Sequence, residues 1–433
     1  MLRSLVAVCF GVAVGALGGP GASAPAYAHP AGTQARVSTP HLPQLLGFSG
    51  SAIVRIDPDS LKPLAGARVP VSSGGCSGRN GGTACWGLPP WSASPDGKRV
   101  AVANNDTSSV AVVDATRLRV LARIPIGGGQ LGALTWLSRK RLLALQEMGG
   151  ERQRLLVLDV AGRRVVARRP LGGSVLRLAV AGRRLVVLLS PAQRIGRARL
   201  AVASSTGAVR FLRLGQIVAG SKVLGTGSTF RVEAQLPGLA VDSRGNHAFV
   251  VGSTRIADVD LARLSVSYHT PSRQPAMAAK EIKGHERVAR WLGRGLLAVS
   301  GTDATGEQRQ PAGLRLIDTA RWSVRTLDPD TGSFNLVGDV LLASGWKTPQ
   351  DHSTGTGLAA YALDSSERFR VLEGRLTWLA LAYRGRAYVG VSGQDPLTIV
   401  DLGTGDIVGS RTQPLPTLLL GEGAGWWQQP LSP

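Results

Sequence analysis

A short apolar run that ends in aspartate recurs along this chain, and the repetition constrains the fold more than any other feature. The closing acids are Asp57, Asp114, Asp159, Asp260, Asp318, Asp364 and Asp401. Alignment of the segment around Asp159 with the one around Ser204 adds an eighth copy, in which serine replaces the acid. Successive copies lie 37 to 58 residues apart, which is typical of a four-stranded propeller blade with variable loops. The sequence therefore predicts an all-β chain built from repeated blades.

The clearest repeat unit covers residues 91–128. Proline and glycine in Ser94–Gly97 suit the backbone angles of a tight turn. The pattern predicts further strands over 99–103, 109–114 and 118–125, with a turn at Asn104–Asp106 between the first two. Short strands joined by tight turns at this density indicate an antiparallel meander.

Residues 91–128 resemble the YVTN-type β-propeller repeat. The matching elements are Ser-Pro-Asp-Gly at 94–97, Val-Ala-Asn-Asn at 102–105, Val-Ala-Val-Val-Asp at 110–114 and Ile-Pro-Ile-Gly-Gly at 124–128. The unit departs from the namesake tetrad, because Ala-Val-Ala-Asn at 101–104 lacks its tyrosine. A weaker match runs from Gly238 to Thr270. The resemblance implies a β-propeller related to extracellular surface proteins, periplasmic binding proteins and quinoprotein amine dehydrogenase β-chain-like subunits. It transfers no catalytic residue to this chain.

The remaining units follow the same strand order and predict one propeller over residues 44–427. They cover residues 130–173, 174–217, 238–270, 287–329, 331–374 and 375–413. Residues 44–71 resemble outer strands, whereas Thr417–Gly421 resembles one inner strand. We therefore predict seven or eight four-stranded antiparallel blades, with the ring closed by a composite blade from both chain ends. Residues 29–43 are expected to be a flexible segment and 428–433 a tail.

The first 28 residues have the pattern of a secretory signal peptide. A charged start, an apolar stretch from Leu5 to Leu17 and the sequence Ala26-Tyr27-Ala28 predict cleavage before His29. Cys9 lies inside the apolar stretch, which disfavours the alternative of a lipoprotein. No later segment has 18 uninterrupted apolar residues, so the sequence predicts no transmembrane segment. The expected location is extracellular or in the cell envelope.

Cys76 and Cys85 flank a glycine-rich loop. In an exported protein such a pair predicts a disulfide. A redox or metal pair is the alternative, but it would need closer spacing or more ligands.

The chain has a formal net charge of +22, with 50 Lys and Arg against 28 Asp and Glu. Much of the excess lies between Arg139 and Arg213. One interpretation is binding of anionic envelope polymers; the other is a composition bias that places arginines on solvated blade edges. The charges alternate with apolar residues and do not form a run with interleaved aromatics, which favours the composition bias. Nucleic acid is not expected as a partner.

The repeated aspartates also allow two interpretations. Each acid can fold back onto the amides of the following turn, or the acids can form a ring that binds cations. Repetition at one structural position favours turns.

Functional residues on a propeller are expected in the loops that depart from the repeat. These candidate loops are Cys76–Trp91, Ser221–Leu236, Pro271–Glu286, Thr302–Pro311 and Lys347–Gly357. A cluster of His285, Glu286, Asp351 and His352 is one candidate metal or acid/base site, set against solvated loop residues. Trp136, Trp291 and Trp378 fall at similar points of their first strands. They predict packing between blades, or alternatively a stacking surface for a flat ligand.

No catalytic motif occurs in the sequence, and no cofactor or metal is predicted. The sequence favours a secreted binding scaffold, with another envelope protein or an anionic envelope polymer as partner. The alternative is a propeller enzyme, such as a lyase, lactonase or quinoprotein-like dehydrogenase subunit, acting at the mouth of the central channel. The oligomeric state is not predicted.

Overall fold

The computed structural model describes residues 42–49, 52–66, 68–70, 76–79, 82–85, 90–148, 153–182, 184–192, 194–224, 231–271, 284–305, 308–347, 354–364, 366–391, 397–411 and 419–420. These residues form antiparallel sheets in the strand order of a propeller. The first strands of neighbouring units contact each other, as β-strands at residues 91–93 and 130–138 do, so the first strands lie inside and the fourth strands outside. The prediction of an all-β propeller is confirmed.

Six separate sheets have four or five strands. The terminal sheet contains β1 (Leu46–Ser49), β2 (Ala52–Arg55), β3 (Val69–Pro70) and β37 (Leu419–Leu420). The next two blades contain β6 (Trp91–Ala93), β7 (Arg99–Asn104), β8 (Ser109–Asp114) and β9 (Val120–Pro125), then β10 (Gln130–Ser138), β11 (Arg141–Glu147), β12 (Gln153–Asp159) and β13 (Arg164–Pro170). A fourth contains β19 (Gly238–Val241), β20 (His247–Val251), β21 (Ile256–Asp260) and β22 (Ser265–His269). The last two contain β28 (Thr331–Val337), β29 (Val340–Trp346), β30 (Thr354–Ala362), β31 (Glu367–Val371) and β32 (Gly374–Arg375), then β33 (Thr377–Tyr383), β34 (Arg386–Val391), β35 (Leu397–Asp401) and β36 (Ile407–Arg411).

One further sheet is continuous over ten strands; we call it the fused sheet. It contains β14 (Ser174–Ala181), β15 (Arg184–Ser190), β16 (Gly196–Ser204), β17 (Val209–Leu224), β18 (Arg231–Leu236), β23 (Gly284–Gly293), β24 (Leu296–Thr305), β25 (Gln308–Pro311), β26 (Leu314–Asp318) and β27 (Ser323–Asp328). Two units that we predicted as independent blades are thus joined by hydrogen bonds. The prediction of seven or eight separate four-stranded blades is wrong, because six blades stand as separate sheets.

The joining element is the segment that we predicted as the loop Ser221–Leu236. β17 runs on for 16 residues and pairs with β18, with Lys222 opposite Glu233. Their side chains form an ion pair of 2.9 Å between Nζ and Oε2. β18 then pairs in parallel with β23, with Gln235 opposite His285. Parallel pairing between units is absent from a simple meander, and the repeat pattern did not predict it.

The predicted loop Thr302–Pro311 is also an extended hairpin. β24 pairs with β26 up to Val299 and then with β25 from Thr302 to Thr305. Gly301 lies at the change of partner with φ of +143°, and a Cβ at that position would overlap the Glu286 carbonyl oxygen. A glycine is therefore required at this bend.

The two chain ends meet in a short pairing. Leu46 lies opposite Leu420 and Gly47 opposite Leu419, and β3 also has two residues. First strands elsewhere have three to ten residues, so the full composite blade that we predicted to close the ring is not formed. Apolar side chains of the terminal sheet, such as Ile53, instead pack with Val102 and Tyr388 of the flanking blades.

The repeated acids form turns, as predicted. Asp114 Oδ1 accepts hydrogen bonds from the amides of Thr116 at 2.9 Å and Arg117 at 2.8 Å, and Asp260 Oδ1 accepts two at 2.8 Å. Corresponding bonds occur at Asp57, Asp159, Asp318, Asp364 and Asp401. In the copy with serine, Ser204 Oγ lies 2.8 Å from Thr206 Oγ1. These bonds favour the charged form, so they lower the pKa of Asp114 and Asp401.

Cys76 and Cys85 lie directly opposite each other in the hairpin of β4 (Cys76–Arg79) and β5 (Gly82–Cys85). Their side chains lie outside the described part of the structure, so the disulfide stays a prediction. Directly opposed positions have a backbone separation that a disulfide can span. We expect mass spectrometry of non-reduced peptides to find this bridge. A Cys76→Ser/Cys85→Ser variant should lose about 2–3 kcal/mol of unfolding free energy, and a wild-type protein with two free thiols at these positions would contradict the prediction.

Candidate functional site

Three neighbouring outer strands, β9, β13 and β17, form a basic surface; we call it the basic edge. Each lies on the outside of its unit in the first half of the chain. Their exposed arginines are Arg123, Arg164, Arg168, Arg169, Arg210 and Arg213. None of the three strands contains Asp or Glu. The charge of the segment 139–213 is therefore not scattered evenly but includes a row of outer-strand side chains.

Hydrogen bonds from arginine link the neighbouring units of the basic edge. Arg168 Nη2 donates to the Ile126 carbonyl at 3.3 Å, and Arg169 Nε donates to the Gly207 carbonyl at 3.0 Å. The Arg199 guanidinium donates to the Gly172 carbonyl at 2.6 Å. These bonds to neutral carbonyls leave the positive charges uncompensated, and they hold the three strands side by side.

Apolar side chains are exposed among these charges. Phe211 is 45% exposed and Val166 is 39% exposed. The Arg199 guanidinium carbon lies 5.0 Å from the centre of the Phe211 ring, a cation–π distance. The basic edge therefore presents both charge and apolar area to solvent.

Outer strands elsewhere differ in composition. β27 has Arg325 together with Asp328, and β31 has two arginines together with Glu367. β22 has no arginine at all. β36 has one arginine, Arg411, and no acidic residue. The basic edge therefore differs from these outer strands in having several exposed arginines on neighbouring strands without an acid.

A second charged cluster lies on first strands, near the channel side. Arg177 on β14 forms an ion pair with Glu286 on β23, with 3.0 Å between Nη2 and Oε1. The first strand β19 lies between β14 and β23 and contacts both, so this ion pair crosses the inner side of β19. Next to Glu286, Arg287 forms a buried ion pair with Asp303 and donates to the Thr302 carbonyl at 2.8 Å.

His285 begins this cluster and is almost fully buried, with 4% exposure. Neither ring nitrogen has a hydrogen-bond partner among the described residues. Burial, and then the charge of Arg287, hold the pKa of His285 well below its usual range. The imidazole is therefore neutral at physiological pH. Its predicted companions Asp351 and His352 lie outside the described residues, so the predicted four-residue cluster stays a prediction.

The three predicted tryptophans all have packing partners. Trp136 is buried, and its Nε1 donates to the Ser92 carbonyl at 3.0 Å. Trp291 stacks on Phe249, with ring centres 5.2 Å apart. The Trp378 ring covers Gly390 on the next strand. A role of these rings in stacking a ligand stays a prediction.

Sequence reasoning identified His285 and Glu286 but missed Arg177, Arg287 and Asp303 as their neighbours. Alternation along β23 was an available signal, because His285, Arg287, Ala289 and Trp291 share one face of a strand. The other neighbours depend on the parallel pairing of β23 with β18 and on the bend at Gly301. The repeat pattern predicts neither of these two features.

Two kinds of feature are absent from the described residues: a metal-binding cluster and a membrane-spanning helix. No group of three or more His, Cys, Asp or Glu in this part of the chain is arranged to hold a metal ion. No helix within the same residues has the length and apolar character needed to cross a membrane.

Comparisons with known proteins support the fold alone. No family model matches the chain, and no curated protein matches it. A solved structure described as dihydro-heme d1 dehydrogenase NirN in complex with DHE is similar, with 14% identity, a TM-score of 0.55 and coverage of 92% of this chain and 78% of that one. A structure described as U3-55K aligns with a TM-score of 0.43, 14% identity and coverage of 77% and 89%. The first likeness supports the β-propeller; the second is too weak to add to it.

Proposed function

We propose that this protein is a secreted binding scaffold that holds an anionic polymer of the cell envelope on its basic edge. The observation that carries the proposal is the row of six exposed arginines on β9, β13 and β17 without an acidic residue on those strands. Guanidinium groups pair with both phosphate and carboxylate in a bidentate geometry. A row of them suits a repeating anion better than a single small ligand.

The surrounding surface supports the same proposal. Each of the six arginines is exposed, so a polymer can bind them without breaking a buried ion pair. The exposed Phe211 and Val166 give the polymer backbone apolar contacts between the charges. A uniform positive field also attracts polyanions at long range and speeds their association.

The proposed location outside the cytoplasm rests on residues 1–28 and on the repeat pattern. The signal-like sequence and the resemblance of residues 91–128 to YVTN-type repeats both favour export. An anionic polymer of the envelope is the partner that an exported basic surface would meet.

The test is a charge reversal on the basic edge. Arg123, Arg164 and Arg213 are exposed, and the structure gives their side chains no hydrogen bond to a described residue. In an Arg123→Glu/Arg164→Glu/Arg213→Glu variant, we expect the Kd for polyphosphate at low salt to rise about tenfold or more, because several charge-assisted contacts are lost. The slope of log Kd against log salt should also become less steep.

A matched control reverses three exposed arginines elsewhere. The Arg244→Glu/Arg325→Glu/Arg375→Glu variant has the same net charge as the basic-edge variant, and it changes exposed positions outside β9, β13 and β17. It should keep most of the wild-type affinity, and polyglutamate in a parallel titration tests whether carboxylate polymers bind as well. Equal losses in both variants would reduce the effect to net charge and overturn the proposed surface.

A further inference from the structure

A crevice of about 50 Å³ lies between the β19–β22 blade and the fused sheet. One wall is formed by residues that include Ser253, Arg255 and Pro271, and the other by residues that include Arg287, Arg315 and Val324. One water molecule needs roughly 10–15 Å³ by this measure of volume. The crevice therefore has room for a small group of a few heavy atoms.

The charge in this crevice is unbalanced. Three arginines line it, and none of its lining residues is acidic. Arg287 is already paired with Asp303, which is buried and is not one of the lining residues. The other two arginines therefore add two positive charges without a carboxylate of their own in the crevice.

The hydrogen bonds of these arginines leave donors for a ligand. Arg315 Nη2 donates to the Ala312 carbonyl at 2.6 Å, and Arg255 Nη1 donates to the Gln216 side chain. A guanidinium has five N–H donors, and one bond for each of these two arginines uses few of them. Burial, and then the nearby charge of Arg287, lower the pKa of Arg315, which reflects the cost of burying one cation beside another.

Arg287 gives the crevice a rigid, buried anchor. Its side chain is 6% exposed, and it is fixed by Asp303 and by the carbonyls of Glu286 and Thr302. A buried cation held in one orientation loses little entropy when an anion binds. Ser253 also lines the opposite wall, and a serine hydroxyl is a neutral donor.

We propose that this crevice binds a small oxyanion, a carboxylate or phosphate group, through Arg287, Arg315 and Arg255. An oxyanion supplies the missing negative charge and matches the planar fork of guanidinium donors. This site is separate from the basic edge, since its residues come from β26, from the start of β23 and from the turn before β21. It goes beyond the proposed function by adding a second ligand class.

The experiment is calorimetric titration of the full chain with inorganic phosphate and, separately, with acetate. Chloride keeps the ionic strength constant in both. We expect saturable binding of at least one anion. The anion that binds more tightly shows whether the natural ligand carries a phosphate or a carboxylate group. An Arg315→Gln variant should weaken that binding about tenfold or more, because charge-assisted hydrogen bonds are lost.

Three controls make the outcome decisive. Arg325→Gln removes an exposed arginine from β27 of the same sheet and should bind the anion as the wild type does. The basic-edge triple glutamate variant should also bind it unchanged, which separates this site from the proposed polymer surface. Arg255→Gln, at an exposed position, should weaken binding even if Arg315→Gln fails to fold. Absence of binding of both anions by the wild type, or equal binding by Arg255→Gln and the wild type, would overturn the proposal.

Discussion

An Asp303→Asn variant is expected to lose about 3–5 kcal/mol of unfolding free energy, because it leaves the buried Arg287 cation without its counter-ion. Both side chains are nearly inaccessible, with 6% exposure for Arg287 and 2% for Asp303. Asparagine has the same shape as aspartate, so the loss reflects charge and not a cavity. Urea denaturation followed by intrinsic fluorescence measures it.

Asp339→Asn is the matched control for this substitution. Asp339 pairs with Arg368 at 3.3 Å, but it is 73% exposed, and exposed pairs contribute about 0–1 kcal/mol. Similar losses in the two variants would show that burial does not amplify the Arg287–Asp303 pair. A combined Arg287→Met/Asp303→Leu variant should recover much of the stability, because it removes both charges and leaves neither unpaired.

The antiparallel meander could be predicted from the sequence because its determinants are local. The acid at the end of a third strand and the glycine of a tight turn act within a few residues, so Asp114 and Gly97 identify their unit without knowledge of the rest. The predicted strands 99–103 and 109–114 correspond closely to β7 and β8. The same locality explains why all seven acids form the predicted turns.

The number of separate blades could not be predicted because it depends on pairing between units. Alternating residues such as Arg231–Leu236 favour a strand, but they do not specify the neighbour. Only the approach of Gln235 to His285 merges two units into the fused sheet. The chain ends illustrate the same limit, since Leu419 and Leu420 suit a strand but pair over two residues.

The charged sites could be predicted only in part, because they also depend on how strands and units pair. The arginine content identified the segment 139–213. Which of its arginines lie on the outside depends on the register in which the fourth strands β13 and β17 pair. The crevice between blades was missed altogether, because Arg255 belongs to one unit and Arg287 and Arg315 to the next, and the three residues are distant in sequence. Repeat analysis aligns equivalent positions and therefore overlooks contacts between non-equivalent ones.

Protein stability is expected to fall as the pH drops below about 6.5, and His285 is the main cause that we predict. The polar and charged residues at neighbouring positions are Arg287 on its own strand, Asp303 opposite on β24 and Gln235 opposite on β18. Burial and Arg287 keep the pKa of His285 far below the 6.5 of an unfolded chain, so below that pH the unfolded state takes up a proton that the folded state does not. The unfolding free energy should then decrease by about 1.4 kcal/mol per pH unit until the folded-state pKa is reached. A His285→Leu variant should lose this dependence and gain stability at neutral pH, because two buried nitrogens without partners are removed.

Urea titrations from pH 7.5 to about pH 5 measure both effects. The control is His247→Leu, which removes a more exposed histidine and is expected to keep the wild-type slope. Parallel pH profiles for wild type and His285→Leu would mean that this imidazole is hydrated or paired in the folded protein, and the prediction would be wrong.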